Sequence, residues 1–168
     1  MRVLFASFLM LAAYAEANAQ TQGNCTLGPG AQPPNCVAIL AVTTNATLGK
    51  ILTDGRGYTL YYFDDPTSPA TQDPLSCPYG PQLGRAPTGK IATCIGAWPP
   101  LLTSDLPATP PGLPGKVGLV VRTDLHNVKQ VTYEGAPLYY FWRDEAPGDA
   151  KGRGAAAFGG KWPVVTVP

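Results

Sequence analysis

GYTLYYF, at residues 57–63, returns as GAPLYYF at residues 135–141 in a chain of only 168 residues. A shift of 78 residues lays Gly57 on Gly135 and Leu60 on Leu138, and the likeness runs on in both directions. Upstream, VAILAVTT (37–44) lies over KVGLVVRT (116–123) with a one-residue offset, and KILTD (50–54) lies over KQVTY (129–133). Downstream, GAWPPLL (96–102) corresponds to GKWPVVT (160–166), which puts Trp98 on Trp162 and Pro99 on Pro163. The chain is therefore read as a duplication.

The two copies differ in length. From Tyr61 to Trp98 is 37 residues and from Tyr139 to Trp162 is 23, so the first copy carries 14 more. They fall in the stretch that holds Cys77 and Cys94, which reads as a surface loop closed by a disulfide. SDLPATPPGLPG (104–115) has four prolines in twelve residues and reads as an extended connector. The expected organisation is a leader at 1–19, an N-terminal extension at 20–36, a first β repeat at 37–103, the connector at 104–115 and a second β repeat at 116–168.

Nineteen Gly and nineteen Pro break any helical pattern early, while Val, Ile, Tyr and Phe are plentiful. Each copy offers an apolar run, a second strand, the LYYF strand and a strand starting near Trp-Pro. Tight turns at DGRG (54–57) and EGAP (134–137) separate the second from the third, with Gly free to take positive φ. The expected fold is all-β: two related four-stranded units packed as a sandwich or barrel with pseudo-twofold symmetry and a shared core, because four strands alone bury little apolar area.

MRVLFASFLMLAAYAEANAQ has a basic start, a short apolar run and Ala17-Asn18-Ala19, a pattern that predicts signal-peptide cleavage after Ala19. The apolar run is too short for a spanning helix, which needs roughly 20 residues. Cys25 sits behind TQGN, away from the position of a lipid-modified cysteine. The expected product is exported, periplasmic or extracellular, with no transmembrane segment. Removing the leader takes away Arg2 and Glu16 and leaves the formal net charge at +1, which argues against a nucleic-acid partner held by phosphate neutralisation, so none is expected. Four cysteines in an exported chain favour disulfides over thiol chemistry. Three pairings are possible. Short loop closure favours Cys25 with Cys36 and Cys77 with Cys94, each worth about 3 kcal/mol in the chain-entropy account.

In YYFWRD, Tyr139, Phe141 and Asp144 match a Y-x-[FWY]-x-x-D motif, and in YYFDDP, Tyr61 and Phe63 match while Pro66 stands where the Asp belongs. With CIGAWPPLL (94–102) and APGDAKGRGAAAFGGKW (146–162), where Asp149, Gly152 and Gly154 fall in place, the chain resembles the bacterial secreted-repeat and lipoprotein family that carries this motif. The resemblance implies export and repeat structure and carries no biochemical activity. The displaced Asp implies that the two copies do not hold equivalent sites.

Strand alternation puts Tyr61 and Phe63 on one face and Leu60 and Tyr62 on the other, so both faces are apolar. Either the strand is central and covered on both sides, or one aromatic face is an open platform for a sugar ring or aromatic ligand. Trp98 and Trp162 read as core anchors. Asp144, just past a strand, would fix the following turn through backbone amides. Asp144, Glu145 and Asp149 lack the alternating spacing of a dedicated Ca²⁺ loop. The lone histidine, His126, reads as an exposed turn residue without a partner for a metal pair. Soft-metal trafficking is disfavoured because Met1 and Met10 leave with the leader. No catalytic, cofactor-binding or metal residue is assigned, and no cofactor is expected. The function expected is that of a non-enzymatic β-repeat protein that binds an envelope component or protein partner through its loops. The alternatives are a hydrolase or redox enzyme using the Asp-rich turns, and a structural envelope protein without a small ligand.

Overall fold

Alternation of side chains along LYYF decides where the core lies, because both faces of the segment are buried. The computed structural model describes Cys25 and residues 35–64, 77–78, 83–85 and 91–168. The expected leader, most of the N-terminal extension, most of the long loop and the Pro66 departure from the motif lie outside these residues.

The first hairpin joins β1 (Leu40–Asn45) to β2 (Gly49–Asp54), antiparallel, with Leu40 opposite Asp54. Asn45 Oδ1 accepts from the amides of Thr47 and Leu48, which sets its turn. Within the long loop, β3 (Leu83–Arg85) pairs with β4 (Ile91–Thr93), and a single helical turn, Cys94–Ala97, follows, capped by the Thr93 hydroxyl. After β5 (Leu102–Thr103), a second long hairpin joins β6 (Val117–Arg122) to β7 (Val128–Tyr133). β8 (Ala136–Pro137) folds back on β7, and a last hairpin joins β9 (Ala155–Ala157) to β10 (Gly160–Trp162).

The two hairpin turns that precede the LYYF segments differ by one residue, and their backbones differ accordingly. Glu134 and Gly135 both have positive φ, 51° and 84°, as a two-residue type I′ turn requires. In the first half the turn is one residue longer. The Gly57 amide donates to Asp54 O, the Asp54 amide donates to Tyr58 O, and Gly57 takes φ 88° as the left-handed residue that closes a bulged three-residue loop.

Matched positions carry matched backbone hydrogen bonds, and they run crosswise between the halves. Tyr61 and Tyr139 exchange both of their backbone bonds at 2.9 Å, so the LYYF segments lie antiparallel, side by side. The amide of Leu52 in β2 donates to Val165 O, and the amide of Val131 in β7 donates to Leu101 O. The amide of Tyr62 donates to Pro163 O and that of Tyr140 to Pro99 O. Each Trp-Pro segment is thus hydrogen-bonded to the half of the chain that does not contain it.

The expected pair of four-stranded sheets closing a sandwich or barrel is corrected by this pattern. Among the described residues there are three two-stranded ladders and one four-stranded sheet, ordered β5-β7-β6 with β8 also on β7, and no closed barrel. The first LYYF segment forms single bridges from Tyr61 to Tyr139 and Val164, followed by one from Asp64 to Lys161, and not a continuous ladder. The physical reason is that Pro99, Pro100 and Pro163 have no N–H to extend a ladder, so the backbone of each LYYF segment is shared among several neighbours.

Two apolar clusters sandwich these segments. On one face lie Tyr61, Phe63, Tyr139, Phe141, Trp98 and Trp162 with Cys77 and Cys94, and on the other Leu60, Leu138 and Tyr140 with Leu40, Leu52, Leu101, Val131 and Val165. The disulfides join Cys25 to Cys36 and Cys77 to Cys94. The first ties the N-terminal segment beside β5, where Cys25 O accepts from the Leu102 amide and Cys36 O from the Ser104 amide.

Candidate functional site

The motif aromatics are interior. Tyr61 is 0% exposed, Tyr139 1%, Phe141 3% and Phe63 6%, so the open-platform arrangement is not adopted. The indoles of Trp98 and Trp162 stack at 4.0 Å and 3° between planes, with Tyr61 edge-on to Trp98 at 5.4 Å and Tyr139 edge-on to Trp162 at 5.3 Å. Phe141 covers Trp98 at 4.6 Å and Phe63 covers Trp162 at 4.8 Å, so aromatic side chains, like backbones, cross between the halves. Trp162 Nε1 donates to Ala157 O, whereas Trp98 Nε1 has no acceptor among the described residues.

Asp144 connects this interior to the surface. Its Oδ2 accepts from the Tyr61 hydroxyl at 2.6 Å, its Oδ1 accepts from the Lys151 amide at 2.9 Å, and the Gly152 amide donates to the same Tyr61 oxygen at 3.3 Å. Burial raises the carboxyl of Asp144 above the ordinary range, while the hydrogen bonds from Tyr61 and the Lys151 amide pull the other way. The Tyr61 phenol is pushed up by burial first and by Asp144 second. Asp149 is different. The Lys151 ammonium at 2.8 Å and the amides of Glu145 and Ala146 hold its carboxyl below the ordinary range. Both aspartates thus accept from backbone amides of the turn, and the loop is stapled to the first half by Thr59 Oγ1 donating to Asp149 O and the Gly148 amide donating to Gly57 O.

What this scaffold presents is a turn. The Asp144 amide donates to Phe141 O at 3.0 Å, which places Trp142 and Arg143 at the two corners, and the Trp142 amide donates to Ala97 O. Trp142 is 49% exposed and Arg143 is exposed beside it, with the guanidinium carbon 5.5 Å from the indole centroid. Phe141, Arg143, Glu145 and Lys151 line a groove of about 380 Å³ at this turn. The reading from sequence did not single out Trp142 and Arg143. The available signal was the motif spacing itself: two residues between a buried aromatic and a turn-fixing Asp must occupy turn corners.

Two buried polar networks were likewise not anticipated. Arg122, fully buried at the end of β6, donates to both carboxylate oxygens of Asp124, to Gln130 Oε1 and to Cys77 O, tying the disulfide loop to the sheet. Asp54, also buried, accepts from the amides of Arg56 and Tyr58, from the Arg56 side chain at 2.7 Å and from the Tyr140 hydroxyl at 3.1 Å. Burial, with Asp54 next, pushes the Tyr140 phenol up. His126 is exposed in a left-handed turn at φ 58°. Among the described residues no three His, Cys, Asp or Glu side chains gather to hold a metal ion, and no helix is long and apolar enough to cross a membrane.

A family model described as a secreted repeat of unknown function matches residues 128–166. No curated protein and no solved structure matches the chain. The matched stretch runs from β7 through the Trp142-Arg143 turn and the Asp144–Asp149 loop to the Trp162-Pro163 segment. A secreted repeat with two disulfides is the character of an exported protein.

Proposed function

We propose that this chain is an exported binding module in which a doubled β unit holds the Trp142-Arg143 turn rigid for an envelope component. The observation that carries the reading is the contrast between neighbours: Phe141 and Asp144 are locked into the fold, while Trp142 between them is half-exposed. A large aromatic side chain held in water by a fixed backbone gives little stability to its own chain and loses little entropy on binding. The matched crosswise hydrogen bonds support a further part of the reading, that an approximate twofold axis passes between Tyr61 and Tyr139 and relates repeats at 37–103 and 116–168.

The rival reading gives the Asp-rich turns hydrolytic or redox work. Their hydrogen bonds weigh against it, since Asp144 and Asp149 each accept from backbone amides that position the loop. Co-sedimentation of the purified protein with an insoluble envelope fraction tests the proposal. Saturable binding lost in the Trp142→Ala/Arg143→Ala double variant, at unchanged melting temperature, is the expected result. Binding that survives the double substitution refutes the assignment to this turn.

A further inference from the structure

The surface around Trp142 narrows the class of ligand, an inference that rests on the binding role proposed above. The large apolar side chains exposed among the described residues are Val37, Leu106, Val121 and Trp142. Trp142 sits on the turn that borders the groove, which among the described residues is lined by Phe141 with three charged side chains. The core of a protein interface gathers several apolar side chains, and an aliphatic ligand takes an apolar pocket. Among the described residues, one half-exposed indole beside a charged groove matches neither. It fits a saturated ring that is apolar on one face and polar around its rim, which is the chemistry of a pyranose.

Charge specifies the rim. Lys151 is already matched, with its ammonium 2.8 Å from Asp149 and 3.6 Å from Glu145. Arg143 also lines the groove, yet among the described residues no carboxylate lies within ion-pair distance of it. A planar guanidinium with its donors free matches a carboxylate in two parallel hydrogen bonds. Glu145, with its side chain 82% exposed, is placed to accept from ring hydroxyls. The loop needs no ordering before it binds, because Asp144, Asp149 and the Trp142 amide already fix it.

We infer that the Trp142-Arg143 turn and its groove bind a carboxylated pyranose, a uronic-acid unit of an acidic polysaccharide, with the ring stacked on Trp142 and the carboxylate held by Arg143. A bacterial envelope polymer and a polysaccharide from outside the cell share this chemistry.

Intrinsic fluorescence tests the inference directly, because the other two indoles, Trp98 and Trp162, are fully buried and a ligand at the surface reports on Trp142. Oligogalacturonate titrated into the full chain is expected to change the emission saturably, at concentrations up to about 1 mM. The change vanishes in Trp142→Phe, affinity falls about tenfold in Arg143→Gln, and added salt weakens binding. Maltooligosaccharides, which lack the carboxylate, bind about tenfold more weakly. Equal binding of both sugars, with Arg143→Gln neutral, overturns the acidic assignment. If oligogalacturonate is silent while a solubilised envelope fraction still changes Trp142 emission, the ligand class falls and the binding turn stands. Silence from both removes the two together.

Discussion

Replacing Tyr61 by Phe removes one oxygen and tests the link between the aromatic core and the presented turn. The hydroxyl donates to Asp144 at 2.6 Å and accepts from the buried Gly152 amide at 3.3 Å, so the ring keeps its packing while two polar groups lose a partner. A hydrogen bond to a charged group is worth about 1.5–3 kcal/mol, and solvent screening of the part-buried carboxylate keeps this case at the low end. The amide bond is long and adds less. The expected loss at neutral pH is therefore about 2 kcal/mol, or a drop in melting temperature of roughly 5 °C for a domain of this size.

The pH dependence supplies a second, independent reading. Asp144 has a raised carboxyl pKa in the folded protein, so its contribution favours the protonated fold: stability is greater below the unfolded value and is lost as pH rises through the folded value. The Tyr61 hydrogen bond opposes that rise, so the variant shifts the carboxyl further up and widens the window. At acid pH, with Asp144 neutral in both proteins, only a neutral hydrogen bond of about 1 kcal/mol separates them. Urea denaturation at neutral and at acid pH is the assay. A cost that is the same at both, or one below about 0.5 kcal/mol at neutral pH, refutes the charge-assisted link.

Arg122→Met should cost about 3 kcal/mol in the same assay, because it leaves Asp124 and Gln130 without their buried donor and frees Cys77 O from the sheet. Gly152→Ala should cost about 1–3 kcal/mol, since the added methyl would sit 2.8 Å from ring carbons of both Phe141 and Trp98, and near-zero cost would show that these rings can yield. Residues 116–168 alone should show no cooperative unfolding by circular dichroism, because Val165 finds its backbone partners in Leu52 and Leu60, and adding residues 20–115 should restore a transition. Peptide mapping without reduction should recover Cys77 linked to Cys94 and Cys25 linked to Cys36, and a free thiol at any of the four contradicts the structure.

Much of the architecture was legible one residue at a time. Period-two alternation of LYYF placed Tyr61 with Phe63 and Leu60 with Tyr62, and these pairs do face opposite clusters. The turn-fixing role read for Asp144 rests on the backbone amide bond expected of it, to which the structure adds the Tyr61 hydroxyl from the other half. The sheet order was not legible. Prolines at 99, 100 and 163 marked edges in the sequence but did not say which strand would run beside them.

The amino-acid sequence by itself determined the β class, the duplicated aromatic segment and the positions of the tight turns, and it favoured the pairing of nearby cysteines among three possibilities. These depend on local causes: alternation, loop length and the backbone freedom of Gly57 and Gly135. Only the tertiary structure decided that the Trp-Pro segments cross to the opposite half, that Arg122 and Asp54 hold buried networks, and that Trp142 stays half-exposed. Those outcomes depend on which distant groups meet, and a hydrogen bond across 83 residues, such as the one from Tyr61 to Asp144, leaves no periodic trace along the chain.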